Sequence, residues 1–259
     1  MADASEQARA PQLVLVTGSA GRVGRAVVAA LLAQGHRVRG FDRLATPGLS
    51  DQIIADITDR AVIRHACQQV HTLIHLAATP DDVAEPVQDL FGPNIVGTYE
   101  VLEAARLAGV RRLIVASTAQ VVWHQRERGP FPIRVTDPVT PRSWYAATKV
   151  FLEAASRALQ ESFGLEVIVA RLGWCPRSRE QVEEIYRTSW APDVYLSPED
   201  VGRFFACAVS CTLPAPYYIV FVTSRPAHRE ILDLEPARRL GYQPQHTWPE
   251  GLPSDLLTA

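Results

Sequence analysis

A short apolar run, QLVLVT (12–17), ends in the glycine-rich stretch TGSAGRVG and passes directly into RVGRAVVAALLAQG, which has helical periodicity and stops at Gly35. A strand that turns on glycines into a helix must place its partner strands beside it and cover both of its faces. The rest of the chain supplies those partners. HRVRGFD, HTLIHLAA (71–78), RRLIVAST (111–118) and LEVIVARLG read as further strands. Helical segments stand between most of them: DRAVIRHACQQV, NIVGTYEVLEAARLA (94–108) closed by Gly109, and SWYAATKVFLEAASRAL. Strict alternation of strand and helix specifies an α/β chain, with a parallel sheet and helices on both faces.

After about residue 172 this rhythm fails, and prolines and short segments dominate. SPEDVGRFFACAVS opens with Ser197 as N-cap, Pro198 at the first helical position and two acids in its first turn, so it predicts a helix. YYIVFVTS reads as a strand able to extend the sheet. The expected organisation is a lead-in over 1–11, a doubly wound dinucleotide-binding (Rossmann-type) unit over 12–172, and a small C-terminal substrate lid over 173–259 packed on the sheet's carboxyl edge. Ligands of open α/β sheets bind at that edge.

The glycines at 18, 21 and 24 suit a phosphate-binding turn: glycine permits the tight bend, and the following helix offers unpaired N–H groups with partial positive charge. The second strand ends in Asp42, eighteen residues beyond Gly24. A carboxylate there can accept both ribose hydroxyls of an adenosine and would repel a 2′-phosphate, so the reading is NAD, with NADP the less favoured cofactor. Arg43, next door, is the residue that could instead receive that phosphate. Asp56 in ADITD is placed to bond the adenine amino group. Ala77 and Ala78, closing the third predicted strand, leave room for a cofactor across the strand end.

Tyr145 and Lys149 lie four apart on one helical face. With a dinucleotide over the strand ends, the lysine can bond the nicotinamide ribose and lower the phenol's pKa, and the phenol can then exchange a proton with a substrate hydroxyl or carbonyl. The fourth predicted strand ends in Ser117 and Thr118. Thr118 is assigned to hold the substrate oxygen, and Ser117 is expected to face the cofactor.

Together TGSAGRVG, Asp42, Asp56, HLAA, Asn94 in NIVGT, AST and the spaced Tyr145–Lys149 resemble the short-chain dehydrogenase/reductase superfamily, and the glycine spacing resembles its extended epimerase/dehydratase branch. The length and the RLGWC…SW…SPEDV…LGYQP layout are most similar to uronate dehydrogenases, which oxidise a free sugar acid at its anomeric carbon with NAD. The resemblance implies a catalytic trio of Thr118, Tyr145 and Lys149. It implies a cofactor cradle of Gly18, Gly21, Arg22, Val23, Gly24, Asp42, Arg43, Asp56, Ile57, Leu76, Ala77, Ala78, Asn94, Ser117, Tyr145 and Lys149, with Asn94 ordering a water or carbonyl in a proton path from Lys149. The substrate side would comprise Thr79, Thr118, Ala119, Gln120, Tyr145, Gly173, Trp174 and Arg187, the last as a carboxylate clamp near Trp190. Departures from the branch fall on this side. Ala119 and Gln120 stand where relatives carry Asn-His, and Thr79-Pro80 where they carry a serine.

Other classes are disfavoured. A net charge of −2 offers no broad basic surface for nucleic acid. No apolar run reaches the ~20 residues needed to cross a bilayer, and MADASEQARAPQ lacks the pattern of a secretory signal. A cytoplasmic location is expected. Cys207 and Cys211 suit a buried helix face, and His71 and His75 lack further ligands, so no metal is expected. The expected partners are a small-molecule substrate and a second copy of the chain, paired through the helices carrying Asn94 and Tyr145. Two alternatives remain open: an epimerase or dehydratase that retains NAD, and a non-catalytic NAD-binding sensor or scaffold. The segment from Trp123 to Arg142, rich in proline and charge, is expected to be a mobile flap.

Overall fold

The computed structural model describes residues 11–80 and 88–257; the lead-in, up to residue 10, lies outside them. Seven parallel strands form one sheet in the order β3-β2-β1-β4-β5-β6-β7. These are β1 (Leu13–Thr17), β2 (Arg37–Asp42), β3 (Gln52–Ile54), β4 (Thr72–His75), β5 (Arg112–Thr118), β6 (Glu166–Leu172) and β7 (Tyr217–Val222). Strand β3, which follows β2 after a turn with no helix between, carries only QII and was not foreseen as a strand. The reversal of strand order between β1 and β4 opens a crevice at their carboxyl ends, where such sheets bind ligands.

Side chains of alternating strand residues feed two cores. Val14 and Val16 of β1 pack with α1 (Arg22–Ala33) and α7 (Pro198–Ser210), through Val27, Leu31, Phe204 and Phe205. Leu13 and Leu15 pack on the opposite face with α2 (Arg60–Ala66), α4 (Thr98–Leu107) and α5 (Trp144–Phe163), through Ile63, Val101, Leu102, Leu152 and Leu159. Because both faces are covered, the central strands are apolar throughout.

The sequence alone groups α7 with the lid. The helix instead joins β6 to β7 and lies across α1, where a Cβ on Gly202 would come within 2.9 Å of the Ala26 carbonyl. Ser197 caps its start, its hydroxyl accepting from the Asp200 N–H at 3.1 Å. At the other end the buried Arg112 donates to the carbonyls of Ala208 (2.8 Å), Val209 (3.1 Å) and Cys211 (2.9 Å), placing a cation on the helix's negative terminus.

The helix expected over 94–108 is interrupted. A short turn, α3 (Gln88–Leu90), leads into a π-helical segment over Phe91–Gly97 before α4 begins. Pro93 has no N–H for the regular ladder, and the wider turn absorbs that loss.

Beyond β6 the chain forms α6 (Arg179–Arg187), and beyond β7 it forms α8 (Glu235–Arg238) and α9 (Ser254–Leu257). Polar hubs fasten these pieces. Asp193 accepts from the N–H groups of His228 (2.6 Å) and Arg229 (3.2 Å). Asp200 accepts from Gln245 N (2.8 Å), His246 N (3.0 Å) and the Ser224 hydroxyl (2.7 Å). The stretch after Trp123 is likewise pinned: Ile133 is buried, donates to Ile231 O at 2.7 Å and accepts from Asp233 N at 2.9 Å. These backbone bonds tie one point of the 123–142 stretch, expected to be a mobile flap, to the segment after β7. No helix of the described residues is long and apolar enough to cross a membrane.

Candidate active site

The glycine turn sits where the sequence places it, and its backbone geometry accounts for Gly18 and Gly24. Gly18 has φ +73°, and a Cβ on it would lie 2.7 Å from the Ala77 nitrogen. A Cβ on Gly24 would lie 2.0 Å from the Gly18 carbonyl, so α1 can approach the turn only with hydrogen at that position. Gly21 is the N-cap of α1 and brings no side-chain cap, and no acid occupies the helix's first turn. The helix start is therefore not neutralised by its own sequence, and it presents N–H groups toward a cleft lined in part by Gly18, Gly21, Asp42, Arg43, Asp56 and Ala77. Ile57, Leu76, Ala78 and Thr79 line the same cleft, as do Phe41, Ala55 and Pro93, which the sequence had not singled out. Their backbone and apolar surfaces form its walls, so residue type gave no sign of them.

Asp42 is anchored before any ligand arrives. Its carboxylate accepts from Ala20 N at 3.0 Å and Leu44 N at 3.1 Å, one bond to each oxygen. A carboxylate offers about four acceptor positions, so it retains capacity for ribose hydroxyls. Asp56 accepts from the Thr58 hydroxyl (2.7 Å) and N–H (2.9 Å), and these bonds hold its pKa below the usual carboxylate range. Ile57 packs where a Cβ on Gly97 would stand, at 2.5 Å, which ties that wall of the cleft to the π-helical turn. The cradle fits a dinucleotide: close-packed glycines, open helix N–H groups and an oriented acid all face one cleft.

Two residues of the expected cradle are placed differently. The Arg22 guanidinium is paired with Asp255 of α9 at 2.8 Å. Val23 lines a second, smaller cleft beside the turn with Cys175, Pro176, Leu196, Pro198 and Pro253. The C-terminal segment thus lies against the start of α1.

Helix α5 is capped by Ser143, whose hydroxyl accepts from Ala146 N at 3.0 Å, so its first turn is fixed and with it Tyr145. Lys149 is buried. Its ammonium donates to the Ala116 carbonyl of β5 at 3.0 Å and stands 5.6 Å from the Tyr145 ring centroid. Burial pulls its pKa down to about 8. Asn94, in the π-helical turn, accepts from Thr79 N (2.8 Å) and donates to Thr79 O (3.0 Å) and to the Thr148 hydroxyl (3.1 Å). Thr148 in turn donates to the Tyr145 carbonyl at 2.7 Å. One side chain therefore couples the wall of the cleft to the tyrosine's own turn. His75 lies in the core beneath, its Nδ1 2.8 Å from the Thr17 hydroxyl and its Nε2 3.3 Å from that of Thr98. Burial, reinforced by the Lys149 charge, lowers its pKa to about 3, so it is neutral.

At the end of β5 the two hydroxyls part. Thr118 is buried and caps the following 3-10 segment (Ala119–Glu127), accepting from Gln120 N at 3.3 Å. Ser117 does not face the cofactor cleft. Its hydroxyl donates to Glu153 at 2.5 Å, and that carboxylate is held by Arg171 at 2.8 and 3.0 Å. A buried ion pair needs its remaining lone pairs satisfied, and Ser117 supplies that donor.

The expected substrate side is only partly assembled. Gln120 accepts from the Ser143 hydroxyl at 3.4 Å, which joins the end of β5 to the start of α5. Ala119 is buried in a cluster with Phe221, Val194 and Leu232. A Cβ on Gly173 would meet the Val194 carbonyl at 2.3 Å, so this glycine serves close packing of two backbones. Trp174 packs with Trp190 at 6.1 Å between centroids. Arg187 is not a clamp: its side chain is 76% exposed and paired with Glu183 at 2.7 Å, away from the buried Val182–Ile185 side of α6.

The NAD dependent epimerase/dehydratase family's sequence model matches residues 14–174, from β1 to the residue after Gly173. The chain is 34% identical over 248 residues to L-arabinose 1-dehydrogenase (NAD(P)(+)) of Haloferax volcanii, covering 90% of this chain and 96% of that protein. It is 29% identical over 253 residues to NAD-dependent glucose-6-phosphate dehydrogenase of the same organism, covering 90% and 93%. Among solved structures, glucuronic acid dehydrogenase from Chromohalobacter salexigens superposes with a TM-score of 0.75 at 25% identity, covering 92% of this chain and 86% of that one. The family match spans the glycine turn, Asp42, Asp56, Asn94, Thr118 and the Tyr145–Lys149 pair, so the chain belongs to the NAD dependent epimerase/dehydratase family.

Proposed function

We propose that the protein is an NAD-dependent dehydrogenase that oxidises a small sugar or sugar acid at its anomeric hydroxyl. The observation that carries this reading is the Lys149 ammonium, buried, bonded to Ala116 O and set over the ring of Tyr145, whose turn is joined through Thr148 and Asn94 to the Thr79 wall of the cleft. The relatives whose names specify oxidation of arabinose, glucose 6-phosphate and glucuronic acid support the substrate class.

Bound in the cleft, NAD would accept the hydride from the substrate carbon. Tyr145 takes the hydroxyl proton, and a cation one helical turn away stabilises the phenolate form it needs. Lys149 can supply that cation and a hydrogen bond to the ribose. Thr118 holds the substrate oxygen beside the phenol. Asn94 keeps the Thr79 wall and the first turn of α5 in register, so the proton acceptor is positioned before substrate arrives. Asp42 accepts the adenosine ribose hydroxyls, and Arg43 beside it leaves room for a weaker use of NADP.

In this reading the parts of residues 173–259 outside α7 and β7 supply the substrate lid, and their short length favours small substrates. Homodimerisation through α4 and α5 is supported by exposed apolar residues on those helices, among them Tyr99, Leu107 and Phe163. The free cysteines suit a reducing, cytoplasmic setting. The test is absorbance of reduced nicotinamide on adding L-arabinose, D-glucose 6-phosphate, D-glucuronate or D-galacturonate with NAD and then with NADP. Net reduction of added NAD by one of these is expected. None with any sugar overturns the reading.

A further inference from the structure

Arg126 lies near the end of the 3-10 segment that begins, directly after Thr118, with Ala119 and Gln120. Its guanidinium carbon stands 4.6 Å from the Trp190 ring centroid and 5.3 Å from that of Trp123. Those two rings are 4.9 Å apart, and Trp174 stands 6.1 Å from Trp190. Trp174 is two residues past Leu172, which is the register partner of Thr118. The three tryptophans therefore make a wall that starts at the carboxyl ends of β5 and β6 and finishes at this arginine.

The guanidinium lies against two ring faces. Its Nε is buried and has no hydrogen-bond partner among the described residues. The adjacent acid, Glu127, is engaged by Arg142 at 2.5 and 2.9 Å. Buried arginines elsewhere in the fold are paired with acids, Arg171 with Glu153 and Arg112 with Glu166. A buried donor left unpaired is destabilising, so an acceptor supplied by a ligand is favoured there. Arginine's planar fork, oriented by aromatic faces, matches the paired oxygens of a carboxylate or phosphate.

We propose that Arg126 binds an anionic group of the substrate, a carboxylate or a phosphate monoester carried on the sugar away from the carbon oxidised, and so selects acidic over neutral sugars. This rests on the dehydrogenase reading above, and it assigns to Arg126 the clamp that Arg187 does not provide.

The experiment compares wild type with Arg126→Gln and Arg126→Lys on D-glucuronate, D-glucose 6-phosphate and neutral L-arabinose. Wild type should have its highest kcat/KM on one of the two acidic sugars, which also tells carboxylate from phosphate. In Arg126→Gln the ratio of that kcat/KM to the value for L-arabinose should fall at least about tenfold, through KM more than kcat, with Arg126→Lys between the two. NAD affinity and the melting temperature of each variant report whether the fold survives. Quenching of tryptophan fluorescence by the acidic sugars, in the presence of NAD, measures binding without turnover. Quenching in wild type and its loss in Arg126→Gln uphold the proposal even if no sugar is oxidised, in which case only the dehydrogenase reading falls. A wild type that favours L-arabinose, or a ratio and quenching unchanged by Arg126→Gln, overturns it.

Discussion

The Lys149 ammonium is held at 3.0 Å by the Ala116 carbonyl while standing 5.6 Å from the centre of the Tyr145 ring. The lysine is thereby fixed between a sheet strand and the phenol it is to influence, inside protein and out of water. An exposed pair four residues apart on a helix would be screened, with a coupling of only a few tenths of a kcal/mol. Burial makes the same spacing chemically useful.

That burial carries a stability cost with a defined pH window. The Lys149 pKa falls from 10.5 to about 8 in the fold, equivalent to about 3 kcal/mol. Below pH 8 the charged form is present in both folded and unfolded chains, and the full penalty applies. Between 8 and 10.5 the unfolded chain binds more protons than the folded one, so stability rises with pH. Denaturant melts of wild type and Lys149→Met should show wild type gaining on the variant across that window by up to about 3 kcal/mol. A pH-independent difference contradicts the assignment.

Asn94→Ala removes three hydrogen bonds that join Thr79 to the Thr148 turn of α5. Each is worth about 1 kcal/mol net, and buried partners left unpaired cost more. Turnover should fall at least tenfold and stability by about 2 kcal/mol or more. Steady-state kinetics and urea melts check this, and a variant within twofold of wild-type turnover contradicts the positioning role.

Gly24→Ala places a methyl 2.0 Å from the Gly18 carbonyl, a backbone atom that cannot swing aside. Separating α1 from the turn should cost about 3 kcal/mol or more and abolish NAD binding. Calorimetry on the purified variant measures both effects. Wild-type affinity in it would show that the turn does not hold the pyrophosphate.

Much of this molecule is legible in its sequence because its signals are local. Glycine spacing, the acid ending β2 and the Tyr145–Lys149 interval each lie within one turn or strand. Three residues of β3, half-exposed at the sheet edge, are too few to show a period. The π-helical turn around Asn94 was not legible: the helix was expected to run unbroken over 94–108, and the wider turn that accommodates Pro93 appears only in the fold. Ser117 was misdirected because a strand buried on both faces shows no polar alternation. The clue was Glu153, which repeats the four-residue interval beyond Lys149 and so lies on the same face of α5. Arg187 could have been discounted from Glu183 one turn earlier. Arg126 could not have been found, since its tryptophans come from distant segments brought together only by the fold.

The most direct measurement is turnover by Tyr145→Phe on a sugar that wild type oxidises, alongside NAD affinity. Loss of the one hydroxyl that carries the proton should lower kcat by about a hundredfold or more and leave NAD affinity within about threefold. A variant that keeps near-full turnover would contradict the account.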